Sequence, residues 1–213
     1  MQRVGGAPFR HERGLDELHP RMEDYTMKLF SAHIEDLRSL YTSNLKKALD
    51  MEQKITEALP DLIENTTDSE LTQALRTHLE ETRGHVSSVA SLLQNNVGDE
   101  ETETCKVING LTTEASDTIK DVTDPSVRDI ALIGAAQQVE HHEIAVYGTL
   151  RRWAEILGLS EDATVLESIE AEEENADAIL SEIAERVNVG TGGFPQAERV
   201  GVGAPLTPER FTT

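Results

Sequence analysis

Residues 127–158 read VRDIALIGAAQQVEHHEIAVYGTLRRWAEILG, and this stretch decides the fold class. Its apolar residues recur every three or four positions, the period that places side chains on one face of an α-helix. Asp124 and Pro125 precede the stretch as an N-cap and a first helical residue, and Gly158 is a typical helix stop. The stretch therefore predicts one long amphipathic helix.

Three further long helices are predicted, two before this one and one after it. The patterns cover residues 31–64, 67–97 and 160–190. The second pattern opens with Thr67 followed three positions later by Glu70, which is a capping-box arrangement. Runs of residues with alternating hydrophobicity, which would indicate strands, are absent from the sequence, so the whole chain is predicted to be all-α.

The connections between these helices indicate the topology. The first and second helices, and the third and fourth, are separated by short turns, so each pair is predicted to form an antiparallel hairpin. Segment 98–123 is longer and carries a weaker amphipathic pattern at Val107, Ile108, Leu111, Ala115 and Ile119. It predicts a short crossover helix between the hairpins. We therefore expect a ferritin-like four-helix bundle at residues 31–189, between an N-terminal tail (1–30) and a C-terminal tail (190–213).

Acidic residues lie on the predicted inward faces of all four long helices. Counted from the helix ends, they fall at about the same depth: Glu52, Glu81, Glu140, Glu143 and Glu173. A buried ionised carboxylate costs several kcal/mol unless it is paired or binds a metal. The pattern therefore predicts a pair of divalent ions in the bundle interior, and carboxylate-plus-imidazole donors suit iron, manganese or zinc.

Several neighbouring residues allow two interpretations. His78 and His85 share a helix face with Glu81, and each is either a metal ligand or a histidine satisfied by ordinary hydrogen bonds. Tyr147, one turn after Glu143, is either a partner of the metal ligands or a core aromatic with a bonded hydroxyl. On the fourth helix, Ile169 competes with Glu170 for the core position.

The chain is strongly acidic, with 40 acidic and 19 basic residues and a formal net charge of −21. Nucleic acid is excluded as a partner, because a polyanion would be repelled and no stripe of Lys and Arg is present. A dense acidic surface with only six Lys residues is typical of proteins from salt-accumulating microbes. An ordinary acidic protein is the alternative interpretation.

Cellular location is predicted from what the sequence lacks. Cys105 is the single cysteine, so no internal disulfide can form and a reducing compartment is expected. The first residues contain no apolar signal segment, and no stretch approaches the ~18 apolar residues that a membrane span requires. These features predict a soluble cytoplasmic protein.

The sequence resembles the YciE/YciF-type ferritin-like stress-protein family. The matching stretches are MEQKITEALP (51–60), HLEETRGHV (78–86), residues 127–158 and EEENADAIL (172–180). The resemblance implies a ferritin-like fold, a homodimer, a di-metal centre and a link to bacterial stress responses. It carries over the five glutamates as ligands and places Asp177 where a second ligand of the last helix would sit. One departure is Gly84, which stands where a Glu-x-x-His motif starting at Glu81 would need histidine.

Three functional hypotheses follow. The first is a cytoplasmic di-metal protein of the stress response, with iron or manganese, that reacts with peroxide or oxygen or oxidises ferrous iron. The second is a non-catalytic stress or assembly protein without a stable metal centre, whose interior acids are protonated or paired with Arg and His. The third, metal storage, lacks support because nothing in the sequence indicates a cage.

Overall fold

The computed structural model of the protein describes residues 34–191. Within this range the chain forms five α-helices and no strand, which confirms the all-α prediction. They are α1 (Leu37–Asn65), α2 (Ser69–Val97), α3 (Lys106–Asp121), α4 (Pro125–Leu157) and α5 (Ser160–Thr191). The predicted N-terminal tail and residues 192–213 of the predicted C-terminal tail lie outside the described residues.

The starts of the first two helices differ from their predicted positions. α1 begins at Leu37 rather than near Ser31, because the carboxylate of Asp36 accepts the Ser39 N–H at 2.7 Å and caps the helix there. α2 is capped by Asp68 rather than by Thr67, whose side chain is engaged elsewhere. Asp68 gains the role because its carboxylate accepts the N–H groups of the first helical turn.

The boundaries of α4 agree with the sequence pattern. Asp124 accepts the N–H groups of Ser126 and Val127 at 2.9 and 3.1 Å, and Pro125 occupies the first helical turn. The helix ends at Gly158, which has a φ of 74°. Glycine adopts this left-handed conformation without the steric cost that a β-carbon would add.

Two pairs of helices are joined by short connections. Three residues separate α1 from α2, and two separate α4 from α5. Lys46, in the first half of α1, pairs with Asp99 just beyond the end of α2, with 3.1 Å between Nζ and Oδ1. α1 and α2 therefore run in opposite directions along each other.

Hydrogen bonds between the two pairs define their relative direction. The Tyr41 hydroxyl donates to Asp162 at 2.8 Å, which brings the starts of α1 and α5 together. The backbone N–H and hydroxyl of Thr67 donate to Asp129 at 2.9 and 2.6 Å, which brings the starts of α2 and α4 together. α1 and α5 thus run one way, and α2 and α4 run the other.

α3 packs against α1 and α4. Ile108 and Ala115 form its buried face. Val107 was also predicted on this face, but it is 53% exposed. Neighbouring residues on an α-helix point about 100° apart, and the narrow buried face of α3 includes Ile108 but leaves Val107 on its exposed side.

The buried face of α5 keeps half of the predicted positions (Leu166, Glu173, Leu180 and Val187) and is shifted by one residue at the others. Ile169 and Ile183 are buried, whereas Glu170 and Asp177 are only partly buried. Glu170 accepts a hydrogen bond from Arg151 Nε at 2.7 Å on the outer side of the helix. Ile169 rather than Glu170 therefore occupies the core position, because the apolar side chain gains more from burial.

No helix between residues 34 and 191 combines the length and the apolar character that crossing a membrane would need.

Candidate metal centre

Four buried side chains from three helices converge near the middle of the structure. His78 of α2, Glu140 and Glu143 of α4, and Glu173 of α5 each offer a ligand atom, and these atoms lie within 4.8 Å of one another. Three carboxylates and one imidazole form a donor set that suits a divalent transition metal.

A second group of donors lies directly beside the first. Glu52 of α1, His85 of α2 and Glu173 again offer atoms within 4.8 Å of one another, and all three side chains are buried. Glu173 therefore belongs to both groups, and each of its two oxygens faces a different histidine. Its Oε2 lies 3.8 Å from His78 Nδ1, and its Oε1 lies 2.9 Å from His85 Nδ1.

The other distances agree with two adjacent sites. His78 Nε2 lies 3.4 Å from Glu140 Oε1, and His85 Nδ1 lies 3.8 Å from Glu52 Oε2. In the described part of the chain, Glu52, Glu140 and Glu173 lie within 4 Å of a histidine nitrogen, and none of the buried carboxylates pairs with Lys or Arg. No Lys or Arg among residues 34–191 therefore balances these buried acidic groups.

Many of the buried donor atoms lack a hydrogen-bond partner among residues 34–191. They include both ring nitrogens of His78, Nδ1 of His85, and carboxylate oxygens of Glu52, Glu140, Glu143 and Glu173. The 2.9 Å approach of His85 to Glu173 does not have the angles of a hydrogen bond. Leaving a buried polar group unpaired costs about 1–3 kcal/mol, and more when it is charged. The donor set therefore fits a pair of metal ions, which would bind these atoms.

The electrostatics of the cluster favour a cation. Burial, together with the charge of Glu173, raises the pKa of Glu52 to about 8 and that of Glu140 to about 10. The same causes, with the neighbouring Glu52 and Glu140, raise the pKa of Glu143 well above its usual value. A divalent ion would reverse these effects, because it stabilises the ionised carboxylates around it.

The two histidines differ in their protonation. Burial lowers the pKa of His78, so its imidazole is neutral and available as a ligand. Burial acts in the same direction on His85, but Glu173, Glu52 and Glu172 outweigh it and raise the pKa of His85 to about 9. His85 Nε2 lies 2.8 Å from the carboxylate of Glu172, which can hold the ring in place through the nitrogen that faces away from Glu173.

Tyr147 is fully buried one turn after Glu143. Its hydroxyl donates a hydrogen bond to Glu52 Oε1, and its ring packs edge-on against His85 with 6.4 Å between the ring centroids. Burial and the nearby carboxylates raise the pKa of Tyr147, which keeps the phenol protonated as a donor. The hydroxyl orients one oxygen of Glu52 and leaves the other facing His85.

Glu81 lies at the edge of the cluster. Its Oε2 is 4.0 Å from His78 Nδ1, but its side chain is 34% exposed and it belongs to neither donor group. Thr82 occupies the neighbouring buried position on α2.

Asp177 lies farther out. Its Oδ1 accepts a hydrogen bond from Gln137 at 3.2 Å and lies 3.6 Å from Nε2 of the exposed His141. It is outside both donor groups because the buried face of α5 passes through Ala176 instead.

Glu172 was not predicted to take part in the cluster. It precedes Glu173 directly, so helical spacing places it beside the inward face rather than on it. Residues 172–174 are all glutamates, and nothing in the sequence indicates that Glu172 contacts a buried residue while Glu174 is exposed. The contact between Glu172 and His85 is seen only in the tertiary structure, where α2 and α5 lie side by side.

A model of a protein family described as a domain of unknown function, DUF892, matches residues 36–190. This chain belongs to the DUF892 family. The protein YciF of Escherichia coli is 34% identical over 153 residues, which cover 71% of this chain and 92% of that protein. The resemblance to YciE/YciF-type proteins is therefore confirmed.

Solved structures also resemble this DUF892 chain. The crystal structure of YciF, described as a stress protein of E. coli, gives a TM-score of 0.70 and 34% identity, covering 74% of this chain and 99% of that one. YcfI of Rhodopseudomonas palustris, described as a candidate structural protein, gives a TM-score of 0.69 and 37% identity, with coverages of 71% and 97%. Residues 36–190, which the family model matches, contain every residue of both donor groups.

Proposed function

We propose that this DUF892 chain is a ferritin-like carboxylate protein that binds two divalent metal ions, iron or manganese. The observation that carries the proposal is the position of Glu173 between two groups of buried donors, with one oxygen directed toward each histidine. A carboxylate shared in this way can bridge two ions. Without ions, the same arrangement leaves several buried polar atoms unpaired.

The helix directions support the ferritin-like assignment. Two helical hairpins joined by one long crossover place helices of opposite direction side by side, and donors from all four long helices then meet in the interior. In this arrangement His78, Glu140 and Glu143 would hold one ion, and Glu52 and His85 the other, with Glu173 between them. We retain Glu81 as an outer ligand that could turn inward, since its side chain lies close to His78.

A bound pair of such ions supplies redox and Lewis-acid chemistry, and we propose that the protein uses it on peroxide or oxygen or to oxidise ferrous iron. The residues around the pair have separate roles. Tyr147 holds Glu52 through its hydroxyl, and Glu172 holds the ring of His85. The buried apolar residues above and below the donors shield the site on those sides.

The cellular role is inferred from the relatives. Because E. coli YciF is described as a stress protein, we propose a role in the stress response for this chain as well. We further propose that it acts in the cytoplasm as a homodimer.

A non-catalytic stress or assembly role is the alternative. Two observations favour it: the raised pKa values of Glu52 and Glu140 describe carboxyl groups that can stay protonated near neutral pH, and the R. palustris relative is described as a candidate structural protein. In this case no metal would bind, and the neutral acids would need only hydrogen bonds.

Metal content separates the two functions. The parent protein, purified without chelator, is expected to contain about two ions per chain, and Glu143→Ala to lose most of them. Glu81→Ala should retain more metal than Glu143→Ala, because Glu81 stands at the edge of the cluster. A parent protein with almost no metal, together with variants as stable as the parent, would refute the di-metal proposal.

A further inference from the structure

A cavity of about 370 Å³ opens between α2 and α5 and ends at the candidate metal centre. Its inner end is formed by His78 and Glu140. Its walls are mainly apolar and come from both helices: Ala74, Leu75, Ala176, Ile179, Leu180 and Ile183. The opposite seam, between α1 and α4, is covered by α3 and leaves a cavity of only about 30 Å³. The α2–α5 side is therefore the open approach to the centre.

His78 is a buried polar side chain at the inner end of this cavity. The side chain is 5% exposed, and neither ring nitrogen has a hydrogen-bond partner within residues 34–191. A buried imidazole at the end of a cavity is a polar group to which a bound molecule can be anchored. A metal ion bound to one of these ring nitrogens would lie at the inner end of the same cavity.

The lining defines the chemical class of the ligand. The acidic residues along the cavity are Glu70, Glu81 and Glu140, and its lining includes no Lys or Arg. In the metal-free protein an anionic molecule would therefore find no cationic partner for its charge in this cavity. The apolar walls favour the burial of hydrocarbon, which gains about 25 cal/mol for each Å² removed from water.

The cavity is much larger than the smallest oxidants require. A water molecule takes up only about 30 Å³ of liquid, and peroxide or dioxygen is of similar scale. A cavity of about 370 Å³ falls instead in the range of roughly 300–1,000 Å³ that is common for organic ligands.

We propose that the α2–α5 cavity binds a short, uncharged aliphatic molecule whose polar end contacts His78 and Glu140. The inference rests on the proposed function in one respect: with two ions bound, this molecule lies beside them and is the organic substrate of the centre. The binding site itself is formed by the protein and is present without metal.

The first experiment measures binding to the metal-free full chain. 1-Hexanol is the uncharged probe and hexanoate is the anionic probe of the same chain length, and the methyl NMR signals of Ile179 and Ile183 are the readout. Hexanol is expected to shift both signals in a saturable way, and hexanoate to bind at least about tenfold more weakly. Equal binding of the two probes, or no shift with hexanol, would overturn the proposal.

A pair of variants on α2 tests the location. Ala74→Leu places extra carbon in the cavity, whereas Ala90→Leu makes the same change at a partly buried position outside its lining. Hexanol binding is expected to weaken about tenfold or more in Ala74→Leu and to stay unchanged in Ala90→Leu. Ile179→Ser serves if Ala74→Leu fails to fold, because Ile179 is 39% exposed and tolerates a polar residue. Equal binding in the parent, the Ala74 variant and Ile179→Ser would place the ligand elsewhere.

Two further outcomes are distinguishable. If Ala74→Leu changes the oligomeric state measured by light scattering while hexanol leaves the methyl signals unmoved, the cavity is an interface between copies and the proposal is wrong. If the parent contains no metal but binds hexanol with the expected dependence on Ala74, the di-metal function fails and the aliphatic binding site is supported.

Discussion

Oε1 of Glu173 lies 2.9 Å from Nδ1 of His85, and both side chains are buried. The other oxygen of Glu173 faces His78, so one carboxylate on α5 links the two histidines of α2. Burial is the largest cause of the raised pKa values of Glu140 and Glu143, and the charge of Glu173 is the next largest. Glu173 is therefore the residue whose charge most strongly couples the parts of the cluster.

Replacement of Glu173 should affect metal binding more than any comparable change on α5. Glu173→Gln keeps the volume but removes the charge and one strong metal ligand, and we expect metal content to fall from about two ions per chain to less than one. Glu174→Gln, at the exposed neighbouring position, should leave metal content unchanged. Elemental analysis after identical purification is the measurement, and equal metal content in both variants would contradict the bridging role.

Removal of the Tyr147 hydroxyl should affect both stability and metal affinity. In Tyr147→Phe, Glu52 loses its hydrogen-bond donor, which should lower the free energy of unfolding by about 1–3 kcal/mol. Loss of an orienting partner should also weaken metal affinity by about 10-fold to 100-fold. Tyr41→Phe is the matched control, because its buried hydroxyl donates to Asp162 away from the centre. It should lose stability but retain metal affinity; a similar loss of affinity in both variants would contradict this prediction.

The metal-free protein should become less stable as pH rises. Glu52 and Glu140 have folded-state pKa values of about 8 and 10 against 4.5 for the free group, so the folded state holds protons that the unfolded state has released. The pKa of His85, raised to about 9, acts in the same direction. The free energy of unfolding should fall between about pH 4.5 and pH 10, by about 1.4 kcal/mol per pH unit for each proton involved.

Bound metal should reverse this slope, because protons compete with the ions for the same carboxylates and the metal is lost on acidification. Urea denaturation of metal-free and metal-loaded protein at several pH values is the measurement. Parallel pH profiles for the two forms would mean that the ions do not bind at these acids.

Asp129 should contribute to stability at the junction of α2 and α4. It is buried and accepts three hydrogen bonds, from the N–H and hydroxyl of Thr67 and the N–H of Asp68. Asp129→Ala leaves these donors unpaired and should lower the free energy of unfolding by about 3 kcal/mol without changing metal stoichiometry. Asp117→Ala, on the exposed side of α3, should change stability by less than about 0.5 kcal/mol. Chemical denaturation measures both, and a small effect at Asp129 would refute the prediction.

Salt should stabilise the protein if its acidic surface reflects a salt-rich environment. At a net charge of −21, added KCl screens the repulsion between carboxylates, since the Debye length falls from about 10 Å at 0.1 M to about 3 Å at 1 M. The melting temperature is expected to rise steadily through this range. A melting temperature that is independent of KCl would favour an ordinary acidic protein.

The helices could be predicted because their signals are local. The N-cap at Asp124, the proline after it and the glycine at 158 determine the ends of α4 through contacts within a few residues. The start of α1 was predicted less well, since the pattern before Asp36 continues without an obvious break. A side-chain cap at Asp36 decided that boundary.

The interior acids were predicted in part for the same reason. Glu52, Glu140 and Glu143 lie on strongly periodic apolar faces, so their burial follows from the sequence. The outward position of Asp177 does not follow from it, because the stripe on α5 can be drawn through either of two neighbouring rows. Ile169 and Ala176 pack against the other helices, and this rotation of α5 places Asp177 outside the buried face.

By itself, the sequence determined the all-α class, the five helical segments and the presence of acidic residues on apolar helix faces, since periodicity and capping act over short distances along the chain. Only the tertiary structure decided that the two oxygens of Glu173 face different histidines, that Tyr147 bonds Glu52, and that a cavity between α2 and α5 reaches His78. These relationships depend on the rotation of each helix about its axis. That rotation is set by side-chain packing between residues far apart in sequence.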